Sequence, residues 1–315
     1  MNDPDHAAEP SGDGIQRFSF QDLDIRGELA RLDTTWTEVC AAHDYPLPVQ
    51  RLLGELLTAT AMLANTIKVE GTLTVQATGD GPVPVLMAEC RNRVTLRGIA
   101  RIHGDVDGAL PAAGAPMDTG LIGSGLLTIT IRPDGGEPYQ GIVPLSGTTV
   151  AEAVEGYFEQ SEQIPTKLLL SADDHRAAGL LLQSMPPEFR EAERAPGERR
   201  EDFRRVCILA DTVDGEELRG TANETLLTRL FHEERVLVEP PSPLAFRCTC
   251  NRDRTREALR AMSRAELEQI VEEEGEIEMD CQFCHAVYRF DGIDLEILFR
   301  DDPVDPDATP TGPAH

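Results

Sequence analysis

A chain of 315 residues with 56 Asp plus Glu against 29 Lys plus Arg carries a formal charge of −27, a field that repels nucleic-acid phosphates and anionic lipid headgroups. Nucleic acid and membrane are therefore not expected partners. The length allows one large domain plus a smaller one, and seven cysteines are too few for a disulfide scaffold.

The opening MNDPDHAAEPSGDG has neither the basic nor the apolar region of a secretory signal. Residues 1–15 read as a flexible acidic tail, and the protein as soluble and cytoplasmic. An α+β domain is expected over 16–185. After DLDIRGELARL, Pro46-Leu47-Pro48 introduces a helix with Leu52, Leu53, Leu56, Leu57, Met62 and Leu63 at helical spacing. This segment is nearly long enough to span a bilayer, but Arg51, Glu55, Asn65 and Lys68 make that costly. It is expected to be a buried helix lying across a sheet.

Leu73, Val75 and Ala77 alternate with polar residues, GDGP at 79–82 turns, and Val83, Val85 and Met87 resume the alternation, which predicts a hairpin. A second hairpin is predicted from LLTITI, with Leu127, Ile129 and Ile131 on one face, through PDGGEP to YQGIVPL. The sheet is thus expected to be mostly antiparallel. Thr149 and Glu152 fit a capping box ahead of Val150, Val154, Tyr157 and Phe158, predicting a helix over about 149–161. KLLLSADD and GLLLQSMPP supply two more short apolar runs.

At Pro186 the composition changes. PPEFREAERAPGERREDFRR has dense mixed charge and few apolar residues, which is linker composition. The linker is taken to run over 186–245 and to be helical: Leu226, Leu227, Leu230 and Phe231 form a stripe too short to be stable unless it docks. Two readings stand for it, an ordinary packed helix and a conditionally docked one. Residues 246–300 then form a small domain, and 301–315 read as a disordered tail.

The small domain holds two cysteine pairs, Cys248 and Cys250 in FRCTC, and Cys281 and Cys284 in DCQFC. In an extended segment the C-x-C thiols leave on one face, while C-x-x-C is the spacing of a turn that presents two thiolates together. Thirty residues separate the pairs; Ser263 and Glu266 make a capping box with Leu267, Ile270 and Val271 behind it, and Gly275 ends that helix. Four sulfurs on an ordered unit predict one zinc ion per chain. Read alone, CQFCH is also a haem-attachment pattern, but that reading requires export and leaves the C-x-C pair unexplained. His285 is expected to sit exposed beside the site, the alternative being that it replaces one sulfur. The zinc reading leaves three uses: a structural ribbon, a catalytic site with an open position, or a thiolate redox sensor. Four sulfurs argue against the open position, and both pairs are spaced to form local disulfides once metal leaves.

The chain resembles a family, the redox-regulated heat-shock chaperones known as 33 kDa chaperonins. The resemblance rests on DIRGEL, HDYPLPV, GDGPV, RGIARI, YQGIVPL, SEQIPT, ANETLLTRLFHEE, FRCTC and GEIEMDCQFC in that order, and covers nearly everything between the two tails. It implies an α+β substrate-binding domain, a metastable linker and a C-terminal redox switch. It implies that Cys248, Cys250, Cys281 and Cys284 hold zinc when reduced, and pair as Cys248–Cys250 and Cys281–Cys284 when oxidised. It also implies a holdase for unfolding client proteins, active as a homodimer when oxidised, and not an enzyme. GLIGSG at 120–125 lacks the Lys of a phosphate loop, and the P-loop pattern does not occur elsewhere, in keeping with ATP independence. The competing readings are a constitutive zinc ribbon that binds a partner and a thiol–disulfide oxidoreductase using Cys281 and Cys284. Cys207 stands as an extra linker thiol, either a small buried hydrophobe or a mixed-disulfide partner. No role for the tails follows from the sequence.

Overall fold

A computed structural model of the chain describes residues 12–67, 70–106, 119–145, 149–186 and 196–300. The C-terminal tail, the N-terminal tail up to residue 11, and 187–195 of the expected linker lie outside the described residues. Packing divides the chain into two units, Met1–Cys248 and Thr249–His315.

The first unit opens with strands β1 (Gly14–Phe20) and β2 (Ile25–Leu32), then helices α1 (Thr34–Ala41) and α2 (Leu47–Thr66). Strands β3 (Gly71–Gly79), β4 (Val85–Arg91), β5 (Thr95–Arg101), β6 (Gly125–Pro133) and β7 (Tyr139–Pro144) follow, then α3 (Val150–Tyr157), β8 (Thr166–Ala172) and β9 (Ala177–Ser184). The unit closes with α4 (Pro196–Ala210), α5 (Gly215–Gly220), α6 (Asn223–Leu230), β10 (Val236–Val238), β11 (Ser242–Pro243) and β12 (Ala245–Phe246). One sheet has the order β10-β1-β2-β9-β8, with β11 also on β1; the other runs β12-β5-β4-β3-β6-β7. Every pairing among the described residues is antiparallel except β12 with β5. The expected α+β, mostly antiparallel architecture is present, as two sheets rather than one.

Helix α2 is a largely apolar segment of the first unit. It is buried from Leu52 to Asn65 on all sides, because it runs between the sheets rather than across one. Its leucines pack with Leu32, Leu168, Leu170 and Leu181 of the first sheet and with Leu73, Val75, Leu86, Leu127 and Ile129 of the second. A helix buried all round is a core helix. Among the described residues no helix is long and apolar enough to cross a membrane. Gly179 lets the first sheet close on α2: a Cβ there would lie 2.5 Å from Met62 Cε.

The second predicted hairpin forms with Leu127, Ile129 and Ile131 facing the core side, as expected. The first forms with its return strand in the opposite phase: Leu86, Ala88 and Cys90 face the core, and Val85 and Met87 turn away. Val83 is fully buried, but it belongs to the turn, where its N–H donates to Leu121 O at 2.8 Å. Pro84 follows without an N–H, and β4 restarts one residue out of step; such a slip exchanges the faces of a strand. The expected helix over 149–161 is α3 with Thr149 and Glu152 as a complete capping box, continued by a wide π turn over Phe158–Glu162.

The other face of the first sheet is covered by α4, α5 and α6, the segment expected as linker. Phe18, Phe20, Ile25, Leu29, Leu180 and Leu182 of the sheet meet Val206, Leu218, Leu226, Leu227, Leu230 and Phe231. Phe231 sits against Phe20 edge-on at 5.0 Å between ring centroids and against Phe18 at 6.2 Å. Gly27 makes the room, since a Cβ there would lie 2.1 Å from the Phe18 ring. Amid this apolar face, buried Arg31 donates to Asn223 Oδ1 at 2.7 Å, Arg219 O at 2.9 Å and Thr221 O, fixing the α5–α6 junction on β2.

The second unit contains α7 (Arg252–Ala258), α8 (Arg264–Glu274), the hairpin β13 (Ile277–Asp280) and β14 (Val287–Phe290), and α9 (Gly292–Leu298). Helix α8 starts at the predicted Ser263–Glu266 capping box and stops at Gly275, whose φ of +88° suits glycine. The unit's core is small: Leu259, Leu267, Ile277, Phe290, Leu295 and Leu298.

Candidate metal centre

The C-x-x-C pair sits in the loop joining β13 to β14. Cys281 N–H donates to Ala286 O at 3.0 Å, while Cys281 O accepts from Cys284 N–H at 3.3 Å and His285 N–H at 2.8 Å. The turn closes at His285 with a left-handed φ of +54°. This arrangement presents Sγ of Cys281 and Cys284 on one side. The C-x-C pair follows β12, whose pairing to β5 is extended by Arg247 N–H donating to Leu96 O at 3.1 Å. Asn251 then caps α7, its side chain accepting from Arg254 N–H at 2.9 Å.

The sulfurs of Cys248, Cys250, Cys281 and Cys284 all lie within 4.8 Å of one another, and each residue is half-buried. Cys250 Sγ and Cys284 Sγ stand 3.4 Å apart, beyond a disulfide bond of about 2.05 Å. Four thiolates about 2.3 Å from a central ion would be roughly 3.8 Å apart, so the separations fit a tetrahedral ion, and an all-sulfur donor set suits a soft or borderline metal. Tyr288, opposite Met279 on β14, donates its hydroxyl to Cys250 Sγ at 3.1 Å. That bond, with burial and the neighbouring cysteines, pushes the phenol up to about 12, so it remains a donor. His285 lies outside the four-sulfur group; it is exposed, with Nδ1 3.4 Å from Asp280 Oδ2.

The other thiols are of another kind. Burial pushes Cys40, Cys90 and Cys207 up to about 12, which makes them poor nucleophiles at neutral pH. For Cys207, Lys167 opposes that shift and Asp211 and Glu155 reinforce it. The residue itself is half-buried on α4.

Tyr288 carried a partial signal in the sequence, since it alternates with Phe290 on the strand that returns from the C-x-x-C turn. Arg97, whose Nη1 lies 4.0 Å from Cys248 Sγ across 151 positions of sequence, carried none.

The chain matches the family described as Hsp33 protein over residues 13–291. It belongs to the Hsp33 family. Relatives include the 33 kDa chaperonins of Azotobacter vinelandii, 47% identical over 91% of this chain and 94% of that one, and of Nitrosococcus oceani, 43% identical over 92% and 95%. A solved structure of the 33 kDa chaperonin (Heat shock protein 33 homolog) from Thermotoga maritima aligns with a TM-score of 0.76 over 91% of this chain and 98% of that one. At 22% identity that likeness concerns the fold. Membership of the Hsp33 family supports a chaperone role, and the four-cysteine group can hold a metal ion.

Proposed function

We propose that the chain is a redox-regulated, ATP-independent holdase of the cytoplasm, with Cys248, Cys250, Cys281 and Cys284 as ligands of one zinc ion in the reduced state. The observation that carries this reading is the convergence of four sulfurs within 4.8 Å in a member of a chaperone family. Zinc in such a site supplies charge that keeps the thiols deprotonated and a cross-link on the order of 10–16 kcal/mol in small zinc peptides. Among its described residues the second unit buries a core of six apolar side chains, so its fold depends on that cross-link.

Activation is proposed as loss of the ligands. Cys248 with Cys250, and Cys281 with Cys284, each form one S–S bond; each pair of thiolates gives two electrons to one hydrogen peroxide, which takes two protons from solvent and is reduced to two waters, while the metal ion leaves. The sulfurs then no longer serve a metal, and the second unit loosens. The linker layer, α4 to α6, is taken to be metastable and to undock in turn. What it covers supports this: Phe18, Phe20, Ile25, Leu29, Leu180 and Leu182 form an apolar face of the kind that holds unfolding polypeptide. Unfolding clients are the proposed partners, with a homodimer as the oxidised form and no enzymatic turnover.

The test is suppression of thermal aggregation of a client by reduced and by peroxide-treated protein, with zinc release followed by a chromogenic chelator. Oxidation should release about one zinc per chain and switch suppression on, and dithiothreitol with zinc should reverse both. Equal suppression by both forms would replace this reading with a constitutive zinc ribbon.

A further inference from the structure

The second sheet carries a row of polar side chains on the face turned away from α2. Thr74, Glu89 and Arg97 stand opposite one another across β3, β4 and β5. Thr74 Oγ1 donates to Glu89 Oε1 at 3.3 Å, and Arg97 grips Glu89 Oε2 through Nε and Nη2. Both charged side chains are mostly covered, at 14% exposure for Glu89 and 22% for Arg97. An arginine used as a fork against a carboxylate is fixed in plane, and its remaining terminal nitrogen then has a set direction. Here Nη1 points to Cys248 Sγ at 4.0 Å. The sulfur is brought there by β12, which adds in parallel to β5 next to Arg97.

We propose that Arg97 is a positioning residue for Cys248: held by Glu89, its guanidinium orients the Cys248 sulfur as a metal ligand and shields it from electrophiles. The inference rests on the zinc reading above. Four thiolates around a divalent cation leave an excess of two negative charges in a half-buried site, and an N–H or cation aimed at a ligand sulfur offsets part of it. Electron density withdrawn from the sulfur also makes it a weaker nucleophile. The C-x-x-C pair is held by the turn at Cys281–His285, whereas the C-x-C pair follows β12, which lies on β5 beside Arg97, so the arginine acts on that pair.

The experiment uses the full chain, zinc-loaded and reduced, and compares Arg97→Gln, Arg97→Lys and Glu89→Gln with the parent. Zinc affinity is read by competition with a chromogenic chelator, and iodoacetamide labelling of each cysteine by mass spectrometry. Outer-shell partners change metal affinity by about 10–100-fold. Arg97→Gln is expected to weaken zinc binding by that factor and to speed labelling of Cys248 relative to Cys281. Arg97→Lys should recover part of the loss, and Glu89→Gln, which keeps the arginine but loosens its aim, should fall between. Parent-like affinity and labelling in Arg97→Gln would overturn the proposal. So would faster labelling of all four cysteines together with faster amide exchange throughout the second sheet, since that describes a damaged fold. A parent protein that binds no zinc would instead overturn the metal reading, and this inference with it.

Discussion

Phe231→Ala tests whether the α4–α6 layer is the part that opens. Phe231 is 1% exposed, seated on Phe18 and Phe20 beside Leu227 and Leu230. Removing a buried Phe costs about 3–5 kcal/mol, part of it the lost aromatic pairing. The first sheet and α2 keep their own core, made of other residues, so the loss falls on docking of the layer. At about 1.4 kcal/mol per tenfold, the undocked population rises by roughly two to four orders of magnitude. Hydrogen exchange resolved by segment is the assay. Amides of α6 and α4 should exchange faster by that factor while those of α2 and β9 keep their protection, and reduced, zinc-loaded protein should gain client-holding activity. Uniform loss of protection across both sheets, or an undocked layer without client holding, would refute the reasoning.

Removing a sulfur, as in Cys281→Ser, or stripping metal with a strong chelator, should abolish amide protection over α8, β13, β14 and α9 while leaving α2 protected, because the second unit's own core is so small. Glu28 makes stability depend on pH. Burial pushes its carboxyl up to about 7, against the pull of Arg17 and Arg26. The folded state therefore keeps a proton that the unfolded chain loses near 4.5, and this contribution, complete below 4.5, is lost as pH rises through 7, at about 3 kcal/mol. Glu28→Gln should flatten the fall in urea midpoint between pH 5 and 8; an unchanged pH profile would refute the assignment. Iodoacetamide at pH 7.5 should label Cys40, Cys90 and Cys207 far more slowly in folded protein than in urea, as mass spectrometry would show.

The sequence determined which four sulfurs come together and most of the local structure. Cysteine spacing picked out the four sulfurs, since C-x-x-C needs only a turn to converge; the capping boxes at Thr149 and Ser263 and Gly275 fixed helix ends through contacts within one turn of chain. The alternation in LLTITI fixed its core face. It failed for β4, where Pro84 and a turn packed on Leu121 reset the phase, a long-range effect that leaves no local pattern. Composition marked the 186–245 stretch as linker, because charge density shows how little of it is apolar, but not where those few apolar residues go.

Tertiary structure decided that. Only the pairing of distant strands places α2 between two sheets, Phe231 on Phe18 and Phe20, and Arg97 beside Cys248. Hydrogen bonds within a turn are written in neighbouring residues, whereas contacts across 151 positions depend on how whole sheets assemble.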